Sequence, residues 1–219
     1  MQFNHVNNFI FPEMGVTTTD AGRYYVTPEG NKYPSVTTVI SKGTDQTWKE
    51  KWIARVGKEE AERISKKATV RGESVHEIIE KYLGNDPEYK KEKNPFDIES
   101  FNNIKHLLDR HIGDVERLEV PLYSDFLRVA GRVDCIAQWD GVWSIVDFKT
   151  NKKQKSREQV FHYMCQESAY SYMFFERTGK PIPQIVTVIT VDEDAPQVYV
   201  ERAKNYLPHF IKIRENVSM

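Results

Sequence analysis

Apolar side chains recur at helical spacing through the first half of the chain. The longest such pattern predicts a helix over about 58–83, which a glycine–asparagine pair then ends. A second helix is predicted over about 97–111, after a charged loop at 86–95. Residues 1–112 are therefore expected to be mostly helical, with a short hairpin over 23–34.

The pattern changes after Gly113 to short runs that are rich in Val, Ile and aromatic residues and bounded by turn residues. These runs predict strands at 115–123, 127–138, 142–149 and 184–191. A helical pattern over about 156–178 separates the last two strands, and a closing helix is predicted over about 199–216. This order predicts a single α/β domain over 1–219, in which 113–219 contribute a β-meander, a crossover helix, a strand and the closing helix.

Composition excludes several classes of protein. The chain has 219 residues, of which 39% are hydrophobic and 29% charged, as in soluble globular domains. It has no apolar run of the roughly 18 residues needed to cross a membrane, and its start lacks a signal-peptide or transit-peptide pattern. Cys135 and Cys165 are too few for a disulfide scaffold or a four-cysteine Fe–S cluster. We therefore expect an intracellular, cytoplasmic protein with no membrane partner.

The net charge of -1 hides an uneven distribution of charged residues. The segment 149–157 has five cationic residues and no acidic one, and 49–71 has eight Lys or Arg against four Glu. Local basic segments in a nearly neutral chain favour an anionic partner that is met at one face. The alternative is that these segments are solvated faces of helices.

The segment 131–150 combines a hairpin signal with two carboxylates. An aspartate–glycine pair between two β-rich runs predicts a tight turn, so that residues whose numbers sum to 281 pair. Asp134 then faces Asp147, and Lys149 lies on the same strand face as Asp147. Opposed carboxylates repel each other, and a hard divalent cation such as Mg²⁺ removes the repulsion. The lysine can neutralise charge that develops on a phosphate, or help to activate a water molecule.

The alternative interpretation of this hairpin is a cross-strand ion cluster, in which Arg132 and the lysine pair with the two aspartates. A turn near residues 124–125 would also place Glu119 opposite Ala130, on the face of Asp134. Glu119 is then either a further acidic group of the site or a solvated glutamate at the sheet edge.

Two helices carry polar pairs at a spacing of four residues. In the first, His76 and Glu80 lie on one face beside the apolar stripe. Imidazole is a common metal ligand and can support an ion bound by carboxylates, whereas a lone helical histidine is often only a hydrogen-bonded boundary residue. In the helix over 156–178, Gln166 and Tyr170 share a face, where they are either structural or hold a phosphate or a base.

Four motifs occur in one order along the chain. They are Gly72…His76…Glu80, Gly131-x-x-Asp134, Asp147-x-Lys149-Thr150 and Gln166-x-x-x-Tyr170. This set resembles the RecB-like branch of the PD-(D/E)XK nuclease superfamily, and in particular the mitochondrial genome maintenance exonuclease type with its phage and bacterial relatives. That type also has a Pro-Ser-Val-Thr segment near its start, here at 34–37, followed by a helix rich in Trp and Lys, here 48–58.

The resemblance implies a restriction-endonuclease-like core with a central mixed β-sheet, flanked by helices, and a metal-dependent DNA nuclease that uses one or two Mg²⁺ or Mn²⁺ ions and no Fe–S cluster. Asp134 and Asp147 would bind the ion together with the carbonyl of Phe148, and His76 would contact the same ion or a second one. Lys149 would position the attacking water and stabilise the phosphorane. Glu80 and Glu119 are additional candidates for the site.

The resemblance also implies contacts with DNA around this centre. The residues expected to bind the substrate are Ser35, Arg71, Lys152, Lys153, Lys155, Arg157, Gln166 and Tyr170. In the family, the helical N-terminal region helps to form a passage for single-stranded DNA. By that analogy Trp48 and Trp52 would stack on bases, and the alternative is that they pack in the core.

The expected activity is that of a DNA exonuclease of replication or repair, acting at free ends of single-stranded DNA or at flaps. Two alternatives are a structure-selective DNA endonuclease of the same fold and a non-catalytic DNA-binding scaffold. The chain lacks the targeting segment of the mitochondrial members, which favours a phage or bacterial setting. Proteins of replication or recombination are compatible partners. Asp147 stands where many relatives have Glu, which shortens the reach of this ligand.

Overall fold

The structure, a computed structural model, describes residues 2–217. Its helices are α1 Val36–Gly43, α2 Thr47–Val56, α3 Lys58–Leu83, α4 Pro95–His111, α5 Arg157–Thr178 and α6 Leu207–Glu215. Its strands are β1 Gly15–Thr19, β2 Gly22–Val26, β3 Lys32–Pro34, β4 Ile112–Ser124, β5 Val129–Trp139, β6 Val142–Asn151, β7 Gln184–Val191 and β8 Gln197–Arg202. The helix predicted over 58–83 and the strand predicted over 184–191 are confirmed, each with the predicted bounds. Within residues 2–217, no helix is long and apolar enough to cross a membrane.

Five strands form the central sheet, in the order β4-β5-β6-β7-β8. Strands β6 and β7 run parallel because α5 crosses over between them, and the other neighbouring pairs are antiparallel. The sheet is therefore mixed. Because helices pack on it, the predicted α/β architecture with a mixed sheet flanked by helices is confirmed.

Two apolar clusters hold the helices to the central sheet. One contains residues of α1, α5 and α6, and the other contains residues of α3 and α4. In a regular strand, residues two apart share a face. In β5, however, Val133 belongs to the first cluster, whereas Cys135 and Ala137 belong to the second. The strand is therefore irregular at Asp134, between helices that pack in different clusters.

A second sheet of three antiparallel strands, β1 to β3, precedes the helices. It adjoins the central sheet where Ser35 forms a bridge with Ala130. The predicted hairpin over 23–34 is confirmed as β2 and β3. The prediction of a mostly helical first half is incomplete, because it misses β1. The side chains of β1 are all exposed, so its sequence has no alternation of apolar and polar residues.

The predicted closing helix over 199–216 is wrong at its start. Residues 197–202 form β8, which extends the sheet along β7, and α6 begins only at Leu207. Pro208 lies in the first turn of α6, where its missing N–H group is tolerated. The proline thus marks the beginning of the helix, and the residues before it were free to pair as a strand.

A glycine allows α5 to approach β5 closely. A Cβ atom at Gly131 would lie 2.6 Å from Cε1 of Tyr170 and 2.9 Å from its hydroxyl oxygen. The tyrosine ring therefore occupies the space that a larger residue would need. This contact fixes the position of α5 relative to the strand that carries Asp134.

We expect Gly131→Ala to destabilise the protein by about 1–3 kcal/mol, because the ring of Tyr170 or the strand must move. The measurement is the free energy of unfolding in urea. Gly72→Ala is the matched control, because its Cβ would meet only Thr150 Oγ1 at 3.8 Å, and alanine stabilises a helix interior by about 0.5–1 kcal/mol. A Gly131→Ala protein as stable as the wild type would contradict this packing.

Candidate active site

An open cleft of about 370 Å³ lies between the N-terminal sheet, the central sheet, α3 and α5. Its lining residues are Arg23, Tyr25, Ser35, Thr37, Gly72, Glu73, His76, Glu77, Glu80, Glu119, Gly131, Arg132, Asp134, Asp147, Lys149, Gln166 and Tyr170. The four sequence motifs, which are far apart along the chain, therefore meet in one place.

The hairpin of β5 and β6 has the predicted register as far as Cys135 and Val146. Regular pairing ends there. The backbone N–H of Phe148 donates instead to Oδ2 of Asp134, at 2.9 Å. Asp134 and Asp147 are thus neighbours at the open end of the ladder, as predicted, but they do not form a regular cross-strand pair.

Asp147 is held between a lysine and a glutamine. Lys149 Nζ forms an ion pair with Oδ2 of Asp147, and Gln166 Nε2 donates to Oδ1 at 3.1 Å. The same Nε2 atom lies 3.4 Å from the hydroxyl of Tyr170. Burial raises the pKa of Asp147 to about 6; the charge of Lys149 opposes this shift and that of Asp134 adds to it. The pair Gln166 and Tyr170 therefore orients one carboxylate of the site.

His76 reaches from α3 to the other aspartate. Its Nδ1 atom lies 3.5 Å from Oδ2 of Asp134. Burial disfavours the charged imidazole, but Asp134 outweighs this effect and raises the pKa of His76 to about 8. Burial alone would raise the pKa of Asp134, but His76, with Lys149 and the Phe148 N–H, holds it below its usual value. His76 is therefore the charge partner of Asp134.

Glu119 also lies beside Asp134, although its predicted register is wrong. The turn after β4 is wider than predicted, so that Tyr123, and not Glu119, is opposite Ala130. Glu119 occupies an unpaired position of β4, with a left-handed backbone (φ 48°). This irregularity places its side chain next to the aspartate.

The environment of Glu119 is acidic and largely shielded from water. Burial raises the pKa of Glu119 to about 7, with contributions from the charges of Asp134 and Glu80. Because Glu119 is half-buried and lines the cleft, the alternative of a solvated glutamate at the sheet edge is wrong. Glu119 belongs to the site, together with Glu80 at the cleft wall.

His76, Glu119 and Asp134 form a group that could hold a metal ion, because their ligand atoms lie within 4.8 Å of one another. Carboxylate oxygens suit Mg²⁺, and the added imidazole nitrogen also suits Mn²⁺. Asp147 adjoins this group, so the residues present fit the predicted divalent ion. Phe148, the predicted carbonyl ligand, is fixed beside Asp134 by its own N–H.

The cleft has an excess of negative charge. Six of its side chains are carboxylates, from Glu73, Glu77, Glu80, Glu119, Asp134 and Asp147, against three Arg or Lys side chains, from Arg23, Arg132 and Lys149, and the imidazole of His76. In the described chain, Arg132 donates to the carbonyl of Glu119 at 2.7 Å and does not pair with an aspartate. The alternative ion cluster is therefore formed only by Lys149 and Asp147. Such a cleft repels an anionic polymer unless cations bind there.

A family model described as the PD-(D/E)XK nuclease superfamily matches residues 40–206, which include the whole central sheet. The chain belongs to this superfamily. Its acidic cleft lies at the open end of the β5–β6 ladder. Residues of all four motifs found in the sequence line that cleft.

Three curated proteins named mitochondrial genome maintenance exonuclease 1 are similar to this superfamily member. The protein of Homo sapiens is 25% identical over 133 residues, that of Mus musculus 24% over 132 and that of Xenopus tropicalis 26% over 129. These matches cover 57%, 57% and 56% of this chain and 38%, 39% and 37% of the relatives. The chain thus matches less than half the length of these relatives. A crystal structure of a candidate exonuclease from Eubacterium rectale aligns with a TM-score of 0.42 and 13% identity, over 68% of this chain and 69% of that chain.

Both arginines expected to bind the substrate have partners within the protein. Arg71 pairs with Asp192 and also donates to Ser100 at 2.9 Å, outside the cleft lining. Arg157 pairs with Glu201. These contacts tie α3 to the residue that follows β7 and α5 to β8, so both arginines have a structural contact, and their contacts with DNA stay a prediction.

The lysines of the loop after β6 differ in their contacts. Lys152 and Lys153 are exposed, and neither forms an ion pair within the described part of the chain. Lys155 is half-buried, and its Nζ donates to the hydroxyl of Tyr163 at 3.0 Å. Contacts of these three lysines with DNA stay a prediction. The exposed Lys152 and Lys153 are better placed for such contacts than the half-buried Lys155.

Sequence reasoning missed Arg23, Tyr25 and Thr37, which line the cleft from the N-terminal sheet and α1. The available signal was the spacing of Arg23 and Tyr25, which places them on one face of β2. Ser35, one of the residues expected to bind the substrate, is the N-cap of α1, since its Oγ accepts the Thr38 N–H at 3.0 Å. The approach of this sheet to β5 is a long-range contact that no local pattern indicates.

The two tryptophans of α2 differ in exposure. Trp48 is 65% exposed, and Trp52 is half-buried. The alternative that Trp48 packs in the core is therefore wrong. An exposed indole on a helix that also carries Lys49 and Lys51 fits the alternative of base stacking, which stays a prediction.

We expect Glu119→Gln to stabilise the metal-free protein at high pH. The pKa of this carboxyl is 4.5 in its ordinary state and about 7 in the fold. The folded state thus binds the proton more tightly, so stability is lost as pH rises from about 4.5 to 7. With EDTA present, Glu119→Gln should melt above the wild type by about 2–8 °C at pH 8, for a gain of about 1–2 kcal/mol.

At pH 4.5 the melting difference between the same two proteins should be much smaller, because the glutamate is then protonated in the folded state and half protonated in the unfolded state. Glu62→Gln, an exposed glutamate of α3, is the matched control and should not change the pH dependence. A melting difference that is independent of pH would contradict a shifted Glu119 carboxyl.

Proposed function

We propose that the protein hydrolyses phosphodiester bonds in DNA with Mg²⁺ or Mn²⁺, and that it acts as an exonuclease at free ends of single-stranded DNA or at flaps. One observation carries the proposal: a cleft lined by six carboxylates, three Arg or Lys side chains and a histidine has a lysine paired with one of the carboxylates. Membership of the nuclease superfamily supports the reaction. Similarity to relatives named exonucleases supports the preference for ends.

The residues of the cleft divide the chemistry between them. A divalent ion held by Asp134, Asp147, His76 and Glu119 would polarise the scissile phosphate and lower the pKa of a bound water. The ammonium group of Lys149 would hold the attacking water and donate to the phosphate oxygen on which charge grows. Gln166 would keep Asp147 oriented during this step, since it already donates to that carboxylate.

Cations away from the carboxylates would guide the DNA backbone. Arg23 and Arg132 line the cleft beside the acidic group and would contact phosphates next to the scissile one. The exposed Lys152 and Lys153 extend the basic surface from the end of β6. The exposed Trp48 would stack on a base of a single strand. Such stacking does not depend on the base sequence.

We expect Lys149→Met and Asp147→Asn each to lower the rate of DNA cleavage by at least about 100-fold, because the first removes the ammonium that acts on the reacting phosphate and the second removes a carboxylate that would hold the ion. The measurement is single-turnover cleavage of end-labelled DNA at saturating protein, with binding measured separately in EDTA. Lys180→Met removes an exposed lysine after α5 and should cleave like the wild type. Full activity in Lys149→Met would contradict the proposed site.

Linear and closed circular single-stranded DNA distinguish the modes of cleavage. With Mg²⁺ the linear strand should be degraded from an end and the circle should stay intact, and EDTA should abolish the loss. Cutting of both substrates would indicate an endonuclease. Binding without cleavage in either Mg²⁺ or Mn²⁺ would indicate a non-catalytic DNA-binding scaffold.

A further inference from the structure

The aromatic ring of Tyr163, on α5, is shared by two ammonium groups. Lys149 Nζ lies 5.2 Å from the ring centroid, and Lys155 Nζ lies 5.1 Å from it. Both distances are within the range in which a cation is attracted to the electron-rich face of a ring. Lys155 Nζ also donates to the Tyr163 hydroxyl at 3.0 Å. The ring therefore links the lysine of the cleft to the loop that follows β6.

The backbone of Lys155 is fixed from the opposite side by β8. Its N–H donates to Gln197 Oε1 at 2.8 Å, and its carbonyl accepts from Gln197 Nε2 at 2.9 Å and from the Tyr199 hydroxyl at 2.7 Å. Both backbone groups of one loop residue are thus bound to neighbouring side chains of an edge strand. The position of the Lys155 ammonium, and with it the Tyr163 hydroxyl, follows from this arrangement.

Lys149 has two kinds of neighbour in the site. One is the carboxylate of Asp147, with which it forms an ion pair. The other is the uncharged ring of Tyr163. An ammonium group held by the carboxylate alone would move whenever that carboxylate turned toward another cation. The ring attracts the ammonium without neutralising it, so it can hold Lys149 near the cleft while the charge stays available to a phosphate.

We propose that Tyr163 is a positioning residue for Lys149: its ring holds the ammonium near the cleft, and the hydroxyl contact with Lys155 is a secondary restraint on the ring. This inference rests on the function proposed above. Tyr163 is outside the cleft lining, so it acts through the lysine and not on the DNA. Gln166 and Tyr163 lie three residues apart on α5, and they orient Asp147 and Lys149 respectively.

A purely structural role for Tyr163 is the competing explanation, since the residue also packs against the core cluster of α5. The two roles differ in three respects. Loss of packing lowers the melting temperature and affects DNA binding and turnover together. Loss of positioning lowers the rate of cleavage alone, and phenylalanine, which retains the ring, restores most of it.

The test compares Tyr163→Leu, Tyr163→Phe and the wild type in single-turnover cleavage of end-labelled single-stranded DNA with saturating Mg²⁺. Tyr163→Leu should lower the rate constant by about 3- to 30-fold, the range expected from one cation–ring contact. Tyr163→Phe should stay within about 3-fold of the wild type, because only the hydroxyl contact is lost. Tyr172→Leu, a half-buried tyrosine further along α5, is the matched control and should keep full activity.

Two further readouts do not depend on catalysis. Affinity for the same DNA in EDTA should be equal, within about 2-fold, in Tyr163→Leu and the wild type, because Tyr163 is not among the residues that line the cleft. In protein labelled with ¹³C on its lysines, the ε-methylene protons of Lys149 should show an upfield ring-current shift. Tyr163→Leu should remove this shift and Tyr163→Phe should retain it, with Lys149→Met used for assignment.

Wild-type cleavage rates in Tyr163→Leu would overturn the inference, and so would equal losses in the Leu and Phe variants or a parallel loss of DNA binding. An unshifted Lys149 signal in the wild type would overturn it as well. If the wild type binds DNA but cleaves none, the proposed function fails, and the ring-current shift then shows separately whether the contact between Tyr163 and Lys149 exists.

Discussion

Crowding of carboxylates where β5 and β6 separate is the constraint on which the rest of the site depends. Acidic groups placed this close together in a partly buried cleft repel one another, and each must have a cationic partner, a hydrogen-bond donor or a proton. Asp147 has Lys149 and Gln166, and Asp134 has His76 and the Phe148 N–H. Burial and acidic neighbours raise the pKa of Glu119 to about 7.

The fold provides these partners by packing a helix of each core cluster beside the same gap in the sheet. Helix α3 brings His76 to one aspartate, and α5 brings Gln166 to the other. The irregularities of β4 and β5 matter because regular strand pairing would use backbone groups near the carboxylates for other hydrogen bonds. The Phe148 N–H, for example, is free to donate to the Asp134 carboxylate. An acidic group that repels DNA by itself is suited to chemistry that begins only after divalent cations bind.

Local patterns in the sequence account for most of the framework. The helix over 58–83 has strong helical periodicity, and the strand over 184–191 is a short run rich in β-branched residues; both are found with the predicted bounds. The patterns fail at β1, whose side chains are exposed on both faces, and at β8, an edge strand whose residues also fit a helical spacing. In both cases pairing with a neighbouring strand decides the structure, and that pairing leaves no periodic signal.

The sequence by itself determined that Asp134, Asp147 and Lys149 would be neighbours, because a tight turn and the two-residue period of a strand are local rules. Only the tertiary structure decided that Glu119 joins them, that Arg23 lines the same cleft, and that Tyr163 contacts the lysine. It also decided that Arg71 is engaged with Asp192. The physical reason is distance along the chain: these contacts depend on how sheets, loops and helices pack, and on an irregular strand whose register the local pattern does not specify.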